Sequence, residues 1–193
     1  MERNWLLPLC AALLFASGAF FGGSGGAARA ESFDASGLSA SIKRRTNAYR
    51  HRQSVQSLRR DRALERAAQD YADFYAANPG RPALWGHEYG GLNPMDRAER
   101  AGFGGRCVGE NLGWQGTSGA LAGLEPVDEK MMAGWIKSRP HRKNLEYRHF
   151  DVIGVGAATY RADGKNWIIA VQMFGCSEPM PKGPGTLRFN QAD

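Results

Sequence analysis

Only three cysteines and four histidines occur in the 193 residues. Neither type forms a recognisable ligand motif. Cys107 and Cys176 have no second Cys or His at zinc-site spacing, which argues against a structural zinc. No internal repeat is visible and no low-complexity segment follows residue 30, so a solenoid or a disordered array is excluded. The Gly-x-Ser-x-Gly nucleophile elbow is also missing, because "GTSGA" at 116–120 carries Ala where the last Gly should stand. The basic run "KRRTNAYRHRQSVQSLRRDRALER" has no aromatic except Tyr49. It reads first as a solvated helix face, and secondarily as a contact for an anionic surface such as phospholipid head groups or cell-wall polymer.

What is present begins with a leader. "WLLPLCAALLFASGAFF" is an apolar run, too short and too broken by Pro8 and Gly18 for a membrane span. It is followed by Ala28-Arg29-Ala30, a small-x-small cleavage pattern. Residues 1–30 are therefore expected to be a cleaved signal peptide, with the mature protein secreted or periplasmic. Cys10 has no small residue before it, which argues against lipid attachment there. Removing Glu2, Arg3 and Arg29 with the leader lowers the formal charge from +6 to +5. The remaining 163 residues suit one domain with a proper core. In an oxidising compartment the isolated pair Cys107 and Cys176 is expected to form a disulfide. Closing that loop of roughly 70 residues would constrain the unfolded chain by about 4 kcal/mol. Nucleic acid is a poor partner for an exported chain.

Helical signals fill the first two thirds. The periodicity predicts a helix from about Ser39 to His51. A stronger one follows Asp61, an N-cap, with Leu64, Ala67, Ala68, Tyr71, Ala72 and Tyr75 at three- and four-residue steps. Asn93 caps a short third helix with Pro94 in its first position, Asp96 in its first turn and Gly102 at its end. A fourth runs from Pro126 until "SRP" breaks it at a corner. The last third changes period. "VIGVGAATY" and "NWIIAVQMFG" read as strands joined through Asp163-Gly164, a tight-hairpin dipeptide. Gly154 and Gly156 within the first strand predict close approach of another backbone or ring. "SEPMPKGPGTLRFNQAD" reads as a flexible tail over 177–193. Residues 31–41 form an N-terminal segment, and 42–176 the domain. Helices first and hairpin last give an α+β fold, an antiparallel sheet covered by helices.

Among the histidines, His51 lies in the Arg-rich, solvent-facing helix end, and His149 follows Arg148 just before a strand as a minor candidate. His87 sits in "LWGHEYGG" beside a glycine turn, and His141 follows Pro140 in "SRPHRKN". Glu110, in "CVGENLGW", is an acid in an apolar, glycine-rich setting. That is costly unless it is paired, hydrogen-bonded or bound to a cation. The steps of 23 and 31 residues between these three match no local metal motif.

The order of "TNAYRHRQSVQSLRRDRALERAAQDYADFYA", "WGHEYGGLNPMDRAERAGF", "GENLGW", "GWIKSRPHRKNLEYRHFDVIGVG" and "WIIAVQMFG" resembles bacterial CAP-superfamily domains. These are relatives of the cysteine-rich secretory, antigen-five and pathogenesis-related proteins. The resemblance covers about Ile42 to Gly175. It implies an α-β-α sandwich with a central antiparallel sheet and a cleft holding two His and acidic residues. By motif, His87 matches the first cavity His, Glu110 the acid of Gly-Glu-Asn, and His141 the second cavity His. Eukaryotic members carry another Glu where this chain has Ser138, so the full acidic tetrad is absent.

Three readings of the cleft follow. His87, Glu110 and His141 are ligand types for zinc or another divalent cation with an open fourth position. Ser138, His141 and Glu110 form a candidate hydrolytic set, because Ser138 and His141 are three apart at a helix end. The favoured reading is a monomeric binding module for a lipid, a glycan or an envelope protein, with Trp85, Trp114, Phe103, Met131 and Met132 flanking the cleft. His141 is expected to stay neutral at pH 7 because Arg142 and Lys143 lie beside it, and Arg142 and Asn144 to brace the turn.

Overall fold

The computed structural model describes residues 33–79, 86–88, 90–121, 126–179 and 189–191. The leader, and with it the signal-peptide expectation, lies outside them. No helix of the described residues is long and apolar enough to cross a membrane.

Helix α1, Ala35–Arg52, starts earlier than its periodicity suggested, because Asp34 caps it by accepting the Gly37 N–H at 2.8 Å. Residues 35–41 thus belong to the first helix and not to a separate segment, and Leu38 is already buried. Strand β1 (Arg59–Arg60) leads to α2 (Arg62–Ala77), capped by Asp61 accepting from Leu64 N at 2.9 Å. Helix α3, Pro94–Arg100, carries a full capping box between Asn93 and Asp96. Strand β2 spans Gly105–Thr117, followed by α4 (Val127–Lys137) and α5 (Arg139–Glu146). Strands β3 (Val152–Ala162) and β4 (Lys165–Pro179) form the expected hairpin, with Asp163 and Gly164 at φ 50° and 71° in its two-residue turn. A short β5, Phe189–Gln191, ends the described chain.

The sheet order is β1-β3-β4-β2-β5. The central β3, β4 and β2 are antiparallel, as expected, but both edge strands run parallel to their neighbours. The sheet is therefore mixed at its margins. Along β4 the side chains alternate: Ile168, Ala170 and Phe174 pack with α1, α4 and α5, whereas Ile169, Val171 and Met173 pack with α2 and α3. Both faces are covered, which gives the α-β-α sandwich. Gly154 and Gly156 let α2 press on β3. An added Cβ would lie 2.2 Å from Glu65 N at the first and 2.3 Å from Gln69 N at the second.

Cys107 and Cys176 face each other across β2 and β4 as a disulfide, with Cα atoms 5.1 Å apart. The tail expectation needs correcting. Residues 177–179 continue β4, and β5 pairs with Cys107–Gly109 because the outer edge of β2 offers free backbone groups there. The corner at "SRP" ends α4 at Lys137, as expected, but a further helix follows it. Ser138 adopts an extended backbone (φ −81°, ψ 119°), and α5 starts at once with Pro140 in its first turn, where a missing N–H costs nothing.

Many cations of the basic run are paired within the protein. Lys43 and Arg60 meet Glu65, Arg45 meets Asp128 and Glu129, and Arg59 meets Asp151. Arg50 is fully buried. The solvated-face reading is thus incomplete: much of this charge stitches α1 to its neighbours.

Candidate functional site

The site is built around Glu110 on β2. Alternation along the strand sends Val108 and Leu112 into the α2–α3 core and Asn111 to the opposite face. Glu110 itself is buried, and both its carboxylate oxygens have partners. Oε1 lies 2.8 Å from His87 Nδ1, and Oε2 meets Arg97 Nη2. A carboxylate only accepts, so His87 Nδ1 carries a proton toward Glu110 and Nε2 is the ring nitrogen left for another partner. Arg97 is buried on α3 with its guanidinium 3.8 Å from the Tyr71 ring centroid. Its Nη1 donates to the carbonyls of His87 at 2.7 Å and Leu92 at 3.1 Å. The Arg97 Nε–H is buried without an acceptor among the described residues.

Two tyrosines of α2 fix the segment that carries His87. Tyr71 and Tyr75 hydroxyls both donate to the Gly86 carbonyl, and Gly86 N donates to Tyr75 Oη at 2.8 Å. Burial raises the Tyr71 hydroxyl pKa far above the ordinary range, so it stays a donor.

From the other face of the sheet comes α5. Asn144 donates to Glu110 O and to Asn111 Oδ1, both at 3.0 Å. Asn111 donates in turn to Gln172 Oε1 at 3.0 Å and to His141 O at 3.2 Å. Gln172 continues to Thr46 Oγ1 at 2.6 Å, and Thr46 to Ile42 O at 2.8 Å. This buried chain of amides runs from α5 through β2 and β4 to α1, and each link sets the orientation of the next. It holds the turn that bears His141. Asn144 and Arg142, which donates to Ile136 O at 2.9 Å, do brace that turn.

His141 is half-buried, and its pKa is lowered from the ordinary imidazole value of 6.5. The direction is the expected one but the cause differs. Burial comes first and repulsion by the His87 ring second, not Arg142 or Lys143. His87 is bonded to Glu110 and acts electrostatically on His141, and the His141 carbonyl is bonded to Asn111, next to Glu110 on β2, whose outer edge beyond Gly109 pairs with no described strand. Outward carbonyls on that edge are capped by side chains: Glu110 O by Asn144, and Leu112 O by Trp135 Nε1 at 2.8 Å.

Other expectations fare differently. Among the described residues no hydrogen bond joins Ser138 to His141. Ser138 serves through its backbone, as the end of α4 and the start of α5. His51 and His149 are exposed and lie outside the site. Phe103, Met131 and Met132 are core residues at 5%, 2% and 5% exposure, so they are not a cleft wall. Trp114 is half-buried edge-on to Tyr75, with ring centroids 5.6 Å apart. Trp85 lies outside the described residues.

The zinc-type set does not fit as arranged. Among the described residues no group of three His, Cys, Asp or Glu is placed to hold a metal ion. Glu110 is occupied by a cation and an imidazole, and acts as the carboxylate that orients a histidine rather than as a ligand itself. Two imidazoles remain, one ligand short of the usual three. Arg97 was the member of this cluster hardest to see in advance. Its one signal is the Asp96-Arg97 pair inside a well-capped helix, where the cap fixes which residue points inward.

Helices cover both faces of the sheet, and two partly exposed imidazoles lie near a buried carboxylate at its edge, which defines the class: an α-β-α sandwich. The sequence pattern of the CAP: Cysteine-rich secretory protein family matches residues 43–174, and the chain belongs to that family. No curated protein matches the chain. Among solved structures it is similar to an extracellular, SCP-domain-containing protein of Bacillus anthracis, at 25% identity and TM-score 0.55, over 73% of this chain and 41% of that one. The chain thus spans less than half of that protein. It is also similar in fold to an outer surface protein of Borrelia burgdorferi, at 21% identity and TM-score 0.60, over 76% of this chain and 97% of that one.

Proposed function

We propose that this is an exported CAP-domain binding module whose cleft, lined by His87 and His141 over the Glu110–Arg97 pair, takes a small hydroxyl-rich ligand of glycan type. The observation that carries the reading is the placement of the two imidazoles. Burial, and after it the His87 ring, lowers the His141 pKa, and His87 keeps Nε2 for another partner because its Nδ1 is bonded to Glu110. Imidazole ring nitrogens pair readily with ligand hydroxyls. A lipid ligand is less well supported, because Phe103, Met131 and Met132 belong to the core. Export rests on the leader pattern over residues 1–30, on the Cys107–Cys176 disulfide and on the extracellular Bacillus anthracis relative.

The test is an NMR titration of the protein with N-acetylglucosamine oligomers and with muropeptide disaccharides, following the ring signals of the four histidines. His87 and His141 should shift together at millimolar ligand or below, and His51 and His149 should not. If neither probe moves His87 or His141, the glycan reading fails.

A further inference from the structure

The charge of Glu110 is balanced before any ligand arrives. Its carboxylate is buried between Arg97 and His87, with one oxygen for each. Arg97 is in turn held from several sides, by the carbonyls of His87 and Leu92 and by the face of Tyr71. A planar, permanently charged guanidinium gripped in this way does not leave easily. We infer that Arg97 is a resident cation standing where a divalent metal would meet Glu110, and that it reserves Glu110 as the orienting partner of His87.

Two consequences follow. With Arg97 in place, the cleft offers an incoming metal only the imidazoles of His87 and His141. With the charge at position 97 removed, Glu110 Oε2 is freed and a third ligand becomes available. Arg97 is therefore a positioning residue that also decides what the cleft excludes. The inference concerns the pair alone and does not depend on which ligand the cleft binds.

Zinc binding to the metal-stripped protein tests it, read by competition with a fluorescent chelator for wild type, R97K and R97Q. Lysine keeps the charge beside Glu110, whereas glutamine keeps a donor and removes the charge. Wild type and R97K should bind zinc weakly and alike, and R97Q should bind it about tenfold or more tightly. A folded R97Q with wild-type affinity overturns the inference. So does R97K gaining as much as R97Q, because the effect would then be one of shape. A second measurement needs no variant. During zinc titration of the wild type, the 13C signal of the Glu110 carboxyl should stay in place while the His87 and His141 ring signals move. A carboxyl shift that tracks zinc would overturn the inference even if R97Q does not fold.

Discussion

Two arginines are buried among the described residues, and they are buried on different terms. Arg50, at the end of α1, is fully enclosed and donates only to main-chain carbonyls: Gln56, Leu145, Tyr147 and Phe150, at 2.8 to 3.1 Å. No carboxylate is bonded to it, and burial pulls its pKa down to about 10, which still leaves it charged at neutral pH. Arg97 faces a buried carboxylate that a histidine shares, and one of its N–H groups has no acceptor. In the first arrangement every guanidinium nitrogen is bonded to the main chain. The second keeps a carboxylate, an imidazole and an unused donor together. That is how a buried charge at a site differs from a buried charge in a scaffold.

The contrast can be broken by mutation, starting with the largest effect. R50L should strand several buried carbonyls of the α5–β3 connection and lower stability by about 4 kcal/mol or more, read from urea unfolding midpoints. No second substitution should restore it, because the acceptors are main chain. R97L should cost about 3 kcal/mol by leaving the buried Glu110 with His87 alone and no arginine, but R97L/E110L should recover most of that loss. A double variant as unstable as R97L alone would mean that Arg97 acts through its carbonyls, as Arg50 does.

Smaller effects concern the cleft. His141 has a folded-state pKa below 6.5, so below pH 6.5 the unfolded chain takes up a proton that the folded chain resists. Its contribution is intact above pH 6.5 and is lost as the pH falls through the folded-state value. Unfolding midpoints between pH 7.5 and pH 5 should therefore drop less for H141Q than for wild type. Smallest of all, S138A should change stability by no more than about 0.5 kcal/mol and leave the His87 and His141 signals in place. A large shift of either ring in S138A would return Ser138 to the site.

The sequence made some of this legible and hid the rest for physical reasons. Helix α2 and the β3–β4 hairpin were visible because Asp61 caps one and Asp163-Gly164 turns the other, both local signals. Gly154 and Gly156 announced the close approach that α2 makes. Strand β2 was not visible. It is largely buried, yet Glu110, Asn111 and four glycines interrupt its apolar pattern, and the first two belong to the candidate site. Helix α5 was hidden by Pro140, which breaks a helix from within but suits a first turn. His87, Glu110 and His141 were found through the family's motif order rather than through spacing. What motifs could not supply was Glu110's second partner, since an ion pair 13 residues apart leaves no periodic trace.

The position of β2 also bears on when the site can form. In the sheet it lies between β4 and β5, both of which come later in the chain. As the polypeptide emerges, Glu110 therefore has no strand beside it until some sixty residues further on, where Met173 becomes its register partner. Such long-range pairing places assembly of the cleft among the late events of folding rather than the early ones. A chain stopped before β4 would have both imidazoles and the acid, with no strand to hold them together.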